Sequence, residues 1–221
     1  MITVQPSASR EDYLKAIYVL EDEGQGPVST NALSERVQAK PASVSGMLKQ
    51  LAEGGWVDHT AYRGVSLTAA GRGIAVDVIR RHRLWEVFLV DRLGFGWDEV
   101  HDLAEQLEHV EHAELMNRLD AFLGHPAFDP HGDPIPRSDG TVVDPRRLIT
   151  ADALLPGQSA VVKGVVDSSD GFLRHLDALG IGLGTGFEVS EWHGFDGSAT
   201  IAGKGLWTAA VLRNLYVEIN G

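Results

Sequence analysis

Residues 125–145, HPAFDPHGDPIPRSDGTVVDP, carry five prolines among glycines and aspartates. No helix interior or central strand tolerates that density, because each proline removes a backbone donor and fixes φ. The segment predicts a loop or tether, and it divides the chain. Before it, apolar residues recur at helical spacing; after it, short apolar stretches alternate with glycine turns. The expected fold class is therefore α+β, mainly α, in 221 residues that can form more than one core.

Within the helical part, Ser9 followed three residues later by Asp12 predicts a helix start, and Tyr13, Leu14, Ile17, Tyr18 and Leu20 form its stripe up to about Gly24. Ser29 caps a short second helix carrying Ala32, Leu33 and Val37. Pro41 suits the first turn of a third, PASVSGMLKQLAEGG, which stops at Gly54–Gly55. The period then changes: WVDHT, AYRG and VSLT read as strand, turn and strand. Three helices and a hairpin are the order of a winged helix-turn-helix. Thr68 caps a longer helix that runs to about Leu93, a length suited to a subunit interface, and DEVHDLAEQLEHVEHAELMNRLDAFL supplies one or two more. Beyond the tether, SAVVKGVV, GFEVSEW, ATIAG and NLYVEI, with one helix at SDGFLRHLDALG, predict a small SH3-like β-barrel. The expected domains are 1–72, 73–147 and 148–221.

Charge is unevenly spread. Residues 1–72 hold 7 basic and 8 acidic residues, residues 73–147 hold 8 and 15, and residues 148–221 hold 4 and 8. The overall −12 argues against nucleic acid, yet the acid is concentrated in the middle. Between Glu35 and Glu53 stand Arg36, Lys40 and Lys49 and no acid. Ser43, Ser45 and Gly46 on the third helix are small enough to enter a major groove, with the basic residues meeting phosphates and Arg63 reaching from the hairpin tip. Double-stranded DNA is the expected partner. Cysteine is absent, which excludes disulfides and thiolate metal sites. Neither an export signal nor a membrane span is visible, so no membrane partner and a cytoplasmic location are expected.

The acid in the middle is patterned. In HDLAEQLEHVEH, residues 101–112, acidic and imidazole side chains at 101, 105, 108, 109 and 112 fall on one helical face without any Lys or Arg. Glu105, Glu108 and His109, at i, i+3 and i+4, suit one divalent cation, and Asp12 at the start of an apolar stripe is a candidate fourth ligand. His82 and Glu86 are one turn apart on the long helix and meet His101 if the helices pack antiparallel across Gly94–Gly96. Glu111 and His59, His112, His125, His131 and His193 read as ordinary surface or core residues. Neither a pair of Glu-x-x-His motifs nor a His-Glu-x-x-His motif is present, which disfavours di-iron and zinc hydrolase chemistry.

The succession EDYLKAIYVL, ASVSGMLKQLAEGGWV, LTAAGRGIAVDVIRRHRLWEVFL, VHDLAEQLEHV and GDPIP resembles the diphtheria toxin repressor family of metal-dependent transcriptional regulators. LDALGIGLGTGFEV resembles the barrel of ferrous-iron transport accessory proteins. The resemblance implies a homodimer, no enzyme activity, and two metal sites: His82, Glu86 and His101 in one, and Asp12, Glu105, Glu108 and His109 in the regulatory other. Asp12 and Glu105 stand where iron-responsive members have Met and Cys, which points to Mn²⁺ as cofactor with Fe²⁺ as the alternative. Lys15 stands where short manganese regulators have a Glu that joins a paired-metal centre. In iron-responsive members a Glu and a Gln from the barrel complete the first site; the corresponding turn here is DSSDG, which offers Asp170, Ser168 or no ligand. The implied function is metal-dependent DNA binding in metal homeostasis, with metal as corepressor. A regulator of the same fold sensing a small organic ligand, and a carboxylate–histidine metalloenzyme, are the competing readings.

Overall fold

A computed structural model describes residues 6–24, 26–60, 64–144 and 146–220; Arg63 lies outside them. The chain forms two compact units. One gathers the chain as far as His82 with Glu105–Asn117 and Pro136–Val142; the other holds Arg83–Ala104, Arg118–Ile135 and Val143–Gly221.

In the first unit, α1 (Ala8–Gly24), α2 (Thr30–Arg36) and α3 (Pro41–Glu53) precede β1 (Val57–Thr60) and β2 (Gly64–Leu67), which pair antiparallel with Val57 opposite Leu67. α1 opens at Ala8, with Ser7 O accepting from Arg10 N and Glu11 N, so Ser9 lies inside the helix rather than before it, while the second and third starts hold for chemical reasons. Ser29 Oγ accepts from Ala32 N at 3.1 Å, and Pro41 occupies the first turn of α3, where its missing N–H costs no bond. The helix stripes meet in one core where Leu14, Ile17, Leu33, Val44, Leu48, Leu51 and Val65 are fully buried. Each such side chain contributes roughly 1.5–3 kcal/mol by leaving water. Thr68 Oγ1 accepts from Gly71 N and starts α4 (Ala69–Leu93), the long helix expected; the division between the units falls inside it.

The region after α4 yields two short helices, α5 (His101–Leu107) and α6 (Ala113–Phe122). The second unit ends in a six-stranded sheet of order β3-β8-β4-β5-β6-β7, antiparallel at every pairing, built from β3 (Ile149–Thr150), β4 (Ser159–Val165), β5 (Gly186–His193), β6 (Ser198–Ile201), β7 (Gly205–Trp207) and β8 (Leu215–Ile219). β4, β5, β6, β8 and the helix α7 at Asp170–Ala178 fall where the sequence placed them, while β3, β7 and α8 at Ala209–Arg213 are additional. Val162, Val189, Ala199, Leu212, Leu215 and Val217 fill the interior.

The proline-rich segment is irregular but fastened. His131 O accepts from Val165 N at 3.1 Å, and Gly132, at φ 91°, lies so near β4 that a Cβ there would stand 2.2 Å from Lys163 O. Only glycine satisfies both conditions. Arg146 adds bonds to Gly132 O and Lys163 O and stacks on Phe128 at 3.6 Å. Among the described residues, no helix is long and apolar enough to cross a membrane.

Candidate metal centres and nucleic-acid interface

Neighbouring residues on a helix point about 100° apart, and α1 uses that difference at Glu11 and Asp12. Glu11 is buried; Asp12 is 53% exposed. Glu11 Oε1 accepts from Arg81 Nη2 at 2.6 Å, and its Oε2 accepts from His109 Nδ1 at 2.7 Å. The other ring nitrogen, Nε2, lies 3.1 Å from Asp12 Oδ1. A carboxylate on Nδ1 fixes the ring and directs Nε2 outward, the way metal-binding histidines are held. Glu11 is absent from the sequence-based set; two successive acids at a helix start signal only that one of them points inward.

Glu108 is 1% exposed, and one oxygen, Oε2, receives both Lys15 Nζ at 2.7 Å and His82 Nδ1 at 2.5 Å. Burial pushes its carboxyl up, but the His82 hydrogen bond and the Lys15 ammonium outweigh this and hold it below the usual range. Asp12 moves the other way. Burial raises it, His109 pulls it down, Glu108 raises it again, Lys15 lowers it and Glu105 raises it, for a net rise. Ligand atoms of Asp12, Glu108 and His109 all lie within 4.8 Å of one another. Glu105 is exposed on α5, near enough to act on Asp12 but outside that group. Two carboxylates and an imidazole without sulfur fit a hard divalent cation.

The single helical face expected over 101–112 is corrected here. α5 ends at Leu107, and Glu108 and His109 occupy the following turn, where their bonds to α1 and α4 side chains outweigh the tendency to continue the helix. His112 then accepts from Leu115 N through Nδ1 at the start of α6, and Glu111 is exposed, as expected for both. Burial and the neighbouring Glu11 carboxyl nevertheless push Glu111 up.

A second cluster lies in the other unit. Glu86 on α4, 1% exposed, places Oε1 3.5 Å from His101 Nδ1 and 3.6 Å from His131 Nδ1. His131 comes from the proline-rich loop and is buried, stacked on Trp97 with its Nε2 on Trp97 O at 2.8 Å. A carbonyl only accepts, so Nε2 carries a proton in the neutral and the charged ring alike, and Nδ1 is the titrating nitrogen that faces the carboxylates. Glu86, Asp129 and His131 bring ligand atoms within 4.8 Å, all three buried. Asp129 Oδ1 accepts from His131 N and Asp133 N, while Oδ2 lies 3.4 Å from Arg83 Nε. Burial, Glu86 and Asp133 push Asp129 up to about 7 against Arg83 and His131. For His131, burial lowers the value, but Glu86, Asp129 and the Trp97 carbonyl raise it to about 9.

His131, set aside in the sequence, thus joins Glu86, and Asp129 was not singled out; an irregular loop carries no periodicity to mark either. His82 sits one turn before Glu86 on α4, with Nδ1 on Glu108. Asp170 is not brought to a cluster: it is exposed on the first turn of α7, with Arg174 Nη1 3.9 Å away. The loop held on β4, rather than the DSSDG turn, carries acid and imidazole to Glu86.

On α3, Ser43, Ser45, Gly46 and Lys49 are exposed on the side opposite Val44, Leu48 and Leu51. Ser45 Oγ donates to Pro41 O at 2.9 Å, and Lys49 Nζ lies 3.9 Å from Glu53. Lys40 is exposed at the N-cap, and Arg36 ends α2 with Glu23 at 3.8 Å.

Three family descriptions match in succession: "Iron dependent repressor, N-terminal DNA binding domain" over residues 6–65, "Iron dependent repressor, metal binding and dimerisation domain" over 68–137, and "FeoA domain" over 149–206. The iron-dependent repressor IdeR of Mycobacterium leprae is 38% identical over 126 residues, 57% of this chain and 54% of that protein; the chain spans about half the length of such relatives. A solved manganese-dependent transcriptional repressor in complex with manganese is 38% identical, with a TM-score of 0.83 over 96% of this chain and 100% of that one. The manganese regulator SloR is 30% identical, with a TM-score of 0.76 over 98% and 100%. The chain belongs to the diphtheria toxin repressor family of metal-dependent transcriptional regulators, a family of DNA-binding proteins and not of enzymes.

Proposed function

We propose that the protein binds double-stranded operator DNA as a homodimer in response to a divalent ion, with Mn²⁺ as the corepressor, and acts in the cytoplasm in metal-ion homeostasis. The observation that carries this reading is the meeting of Asp12 with Glu108 and His109. Asp12 stands on α1, whose stripe packs in the core of the helix-turn-helix, while the other two stand in the turn after α5. A bound cation supplies the positive charge that joins these acids. Asp12, Glu108 and His109 would hold it, with Glu105 within reach of the same site, and Glu11 and Arg81 keep the His109 ring turned toward Asp12. Fixing α1 in this way fixes α2 and α3, which share its core. The absence of sulfur and the share of carboxylate favour Mn²⁺ over Fe²⁺.

DNA contact falls to the exposed side of α3 and to Arg36, Lys40 and Lys49, the acid-free interval of an otherwise acidic chain. In a dimer, two such helices reach successive major grooves about 34 Å apart. Leu93, Phe95 and Phe122 in the second unit are exposed apolar residues suited to the pairing of copies. Glu86 and His101, with Asp129 and His131, would hold a further ion, and His82 stands on the same helix.

A mobility-shift assay on DNA upstream of the protein's own gene and on manganese-uptake promoters tests the function. Retardation that requires Mn²⁺ and disappears with chelator is expected; retardation unaffected by chelator contradicts it.

A further inference from the structure

One cation is already present beside the Asp12–Glu108–His109 group. Lys15 follows Asp12 by three residues on α1, and its side chain is only 18% exposed. Its ammonium lies 2.7 Å from Glu108 Oε2 and 3.3 Å from His82 Nδ1. A lysine so placed gives up most of its water for the Glu108 carboxylate, whose oxygen is a ligand atom of the group, while His82 Nδ1, which donates to the same oxygen, is only a neighbour of the ammonium. Glu108 in turn is a buried carboxylate that requires a positive neighbour whether or not a metal is bound. Asp12 and Glu105 add negative charge around the same point.

We propose that Lys15 is a tethered competitor of the divalent ion, satisfying Glu108 in the metal-free chain and thereby setting the ion concentration at which the site fills. This rests on the reading of Asp12, Glu108 and His109 as a metal site. Two outcomes are open to the ammonium when an ion arrives. It withdraws along its flexible four-carbon stem, losing the Glu108 bond, or it stays and repels the incoming positive charge. Both oppose binding. The lysine therefore stabilises the metal-free form and weakens the ion-bound one.

The test uses the full chain with Mn²⁺ alone, its binding followed by electron paramagnetic resonance and the metal-free form by thermal unfolding. Lys15→Met retains the apolar stem without the charge, and Lys15→Gln serves as a second variant. Both should bind Mn²⁺ more tightly, on the order of tenfold, and melt at a lower temperature without metal. Lys15→Arg should stay near the parent in both respects. Asp12→Ala provides the reference. If Asp12→Ala removes one class of bound Mn²⁺ and leaves the ion of the Glu86 cluster, while Lys15→Met and Lys15→Gln bind no more tightly than the parent, the competitor role is overturned and the metal site stands. If Asp12→Ala leaves binding unchanged, both the site and the competitor role fall.

Discussion

The two acid–histidine clusters use the same residue types in different settings. Around Asp12, half of the aspartate and part of His109 face solvent, and Lys15 already answers the buried Glu108. Around Glu86, the partners Asp129 and His131 are buried, and the shifts of Asp129 to about 7 and His131 to about 9 mean that protons share the cluster. An open site with its own counter-charge suits an ion that comes and goes with its concentration. A site whose Glu86, Asp129 and His131 are buried, and which opens to solvent only at His101, suits a slower, structural occupant. Five substitutions and a pH series follow from this contrast.

The largest effect is expected at Arg81. It and Glu11 are buried together, so Arg81→Met leaves a buried carboxylate with His109 in place of its fixed cation and should cost about 3 kcal/mol of stability in denaturant unfolding. Glu11, which orients the His109 ring, is no longer held by Arg81, and Mn²⁺ affinity should fall roughly 10–100-fold. Unchanged affinity would mean that the Glu11–His109 bond does not prepare the site.

Asp12→Ala and Glu86→Gln separate the clusters next. The first should abolish the metal effect on DNA affinity, a coupling of about 1–3 kcal/mol. The second should leave most of that coupling while lowering the thermal stability gained with Mn²⁺. If both abolish the coupling equally in a binding titration, the distinction between the sites is lost.

A smaller effect should appear with pH. His131 has a folded value of about 9 against an ordinary 6.5, so its contribution to metal-free stability is complete below about 6.5 and lost as pH rises through 9. Asp129, raised to about 7, adds a loss of the same sign between its ordinary 3.8 and 7. Chelator-treated protein should therefore melt at falling temperature as pH rises from 6 to 9.5, and His131→Gln should flatten the upper part of that curve. The smallest expected change is at Lys49, exposed on α3: Lys49→Ala should lower the salt slope of DNA binding by about 1, with sequence preference intact.

What the sequence disclosed, and what it withheld, follows the same division. Caps, glycine stops and apolar spacing act locally, so Ser29, Pro41, Thr68 and the stripe from Tyr13 to Leu20 were legible, and so were β4, β5, β6 and β8, while the two- and three-residue strands β3 and β7 were too short to show a period. His101, Glu108 and His109 stood out because acid and imidazole sit together over 101–112 without Lys or Arg, Asp12 because it opens an apolar stripe, and Glu86 because it follows His82 by one turn. Glu11 was not, since burial of one of two adjacent acids depends on Arg81, seventy residues away. Asp129 and His131 were hidden in a proline-rich loop, where position comes from Gly132 against β4 rather than from a repeat. The stop of α5 at Leu107 was hidden for a related reason: the bonds that draw Glu108 and His109 away from helix geometry come from α1 and α4.

The central claim is that one ion links α1 to the turn after α5 and thereby prepares α3 for DNA. Its most direct test is a Mn²⁺ titration of the protein with and without operator DNA, with metal affinity read at constant salt. Linkage requires DNA to tighten metal binding by the factor by which metal tightens DNA binding, about 5–150-fold. Equal Mn²⁺ affinities in the two titrations would contradict the account.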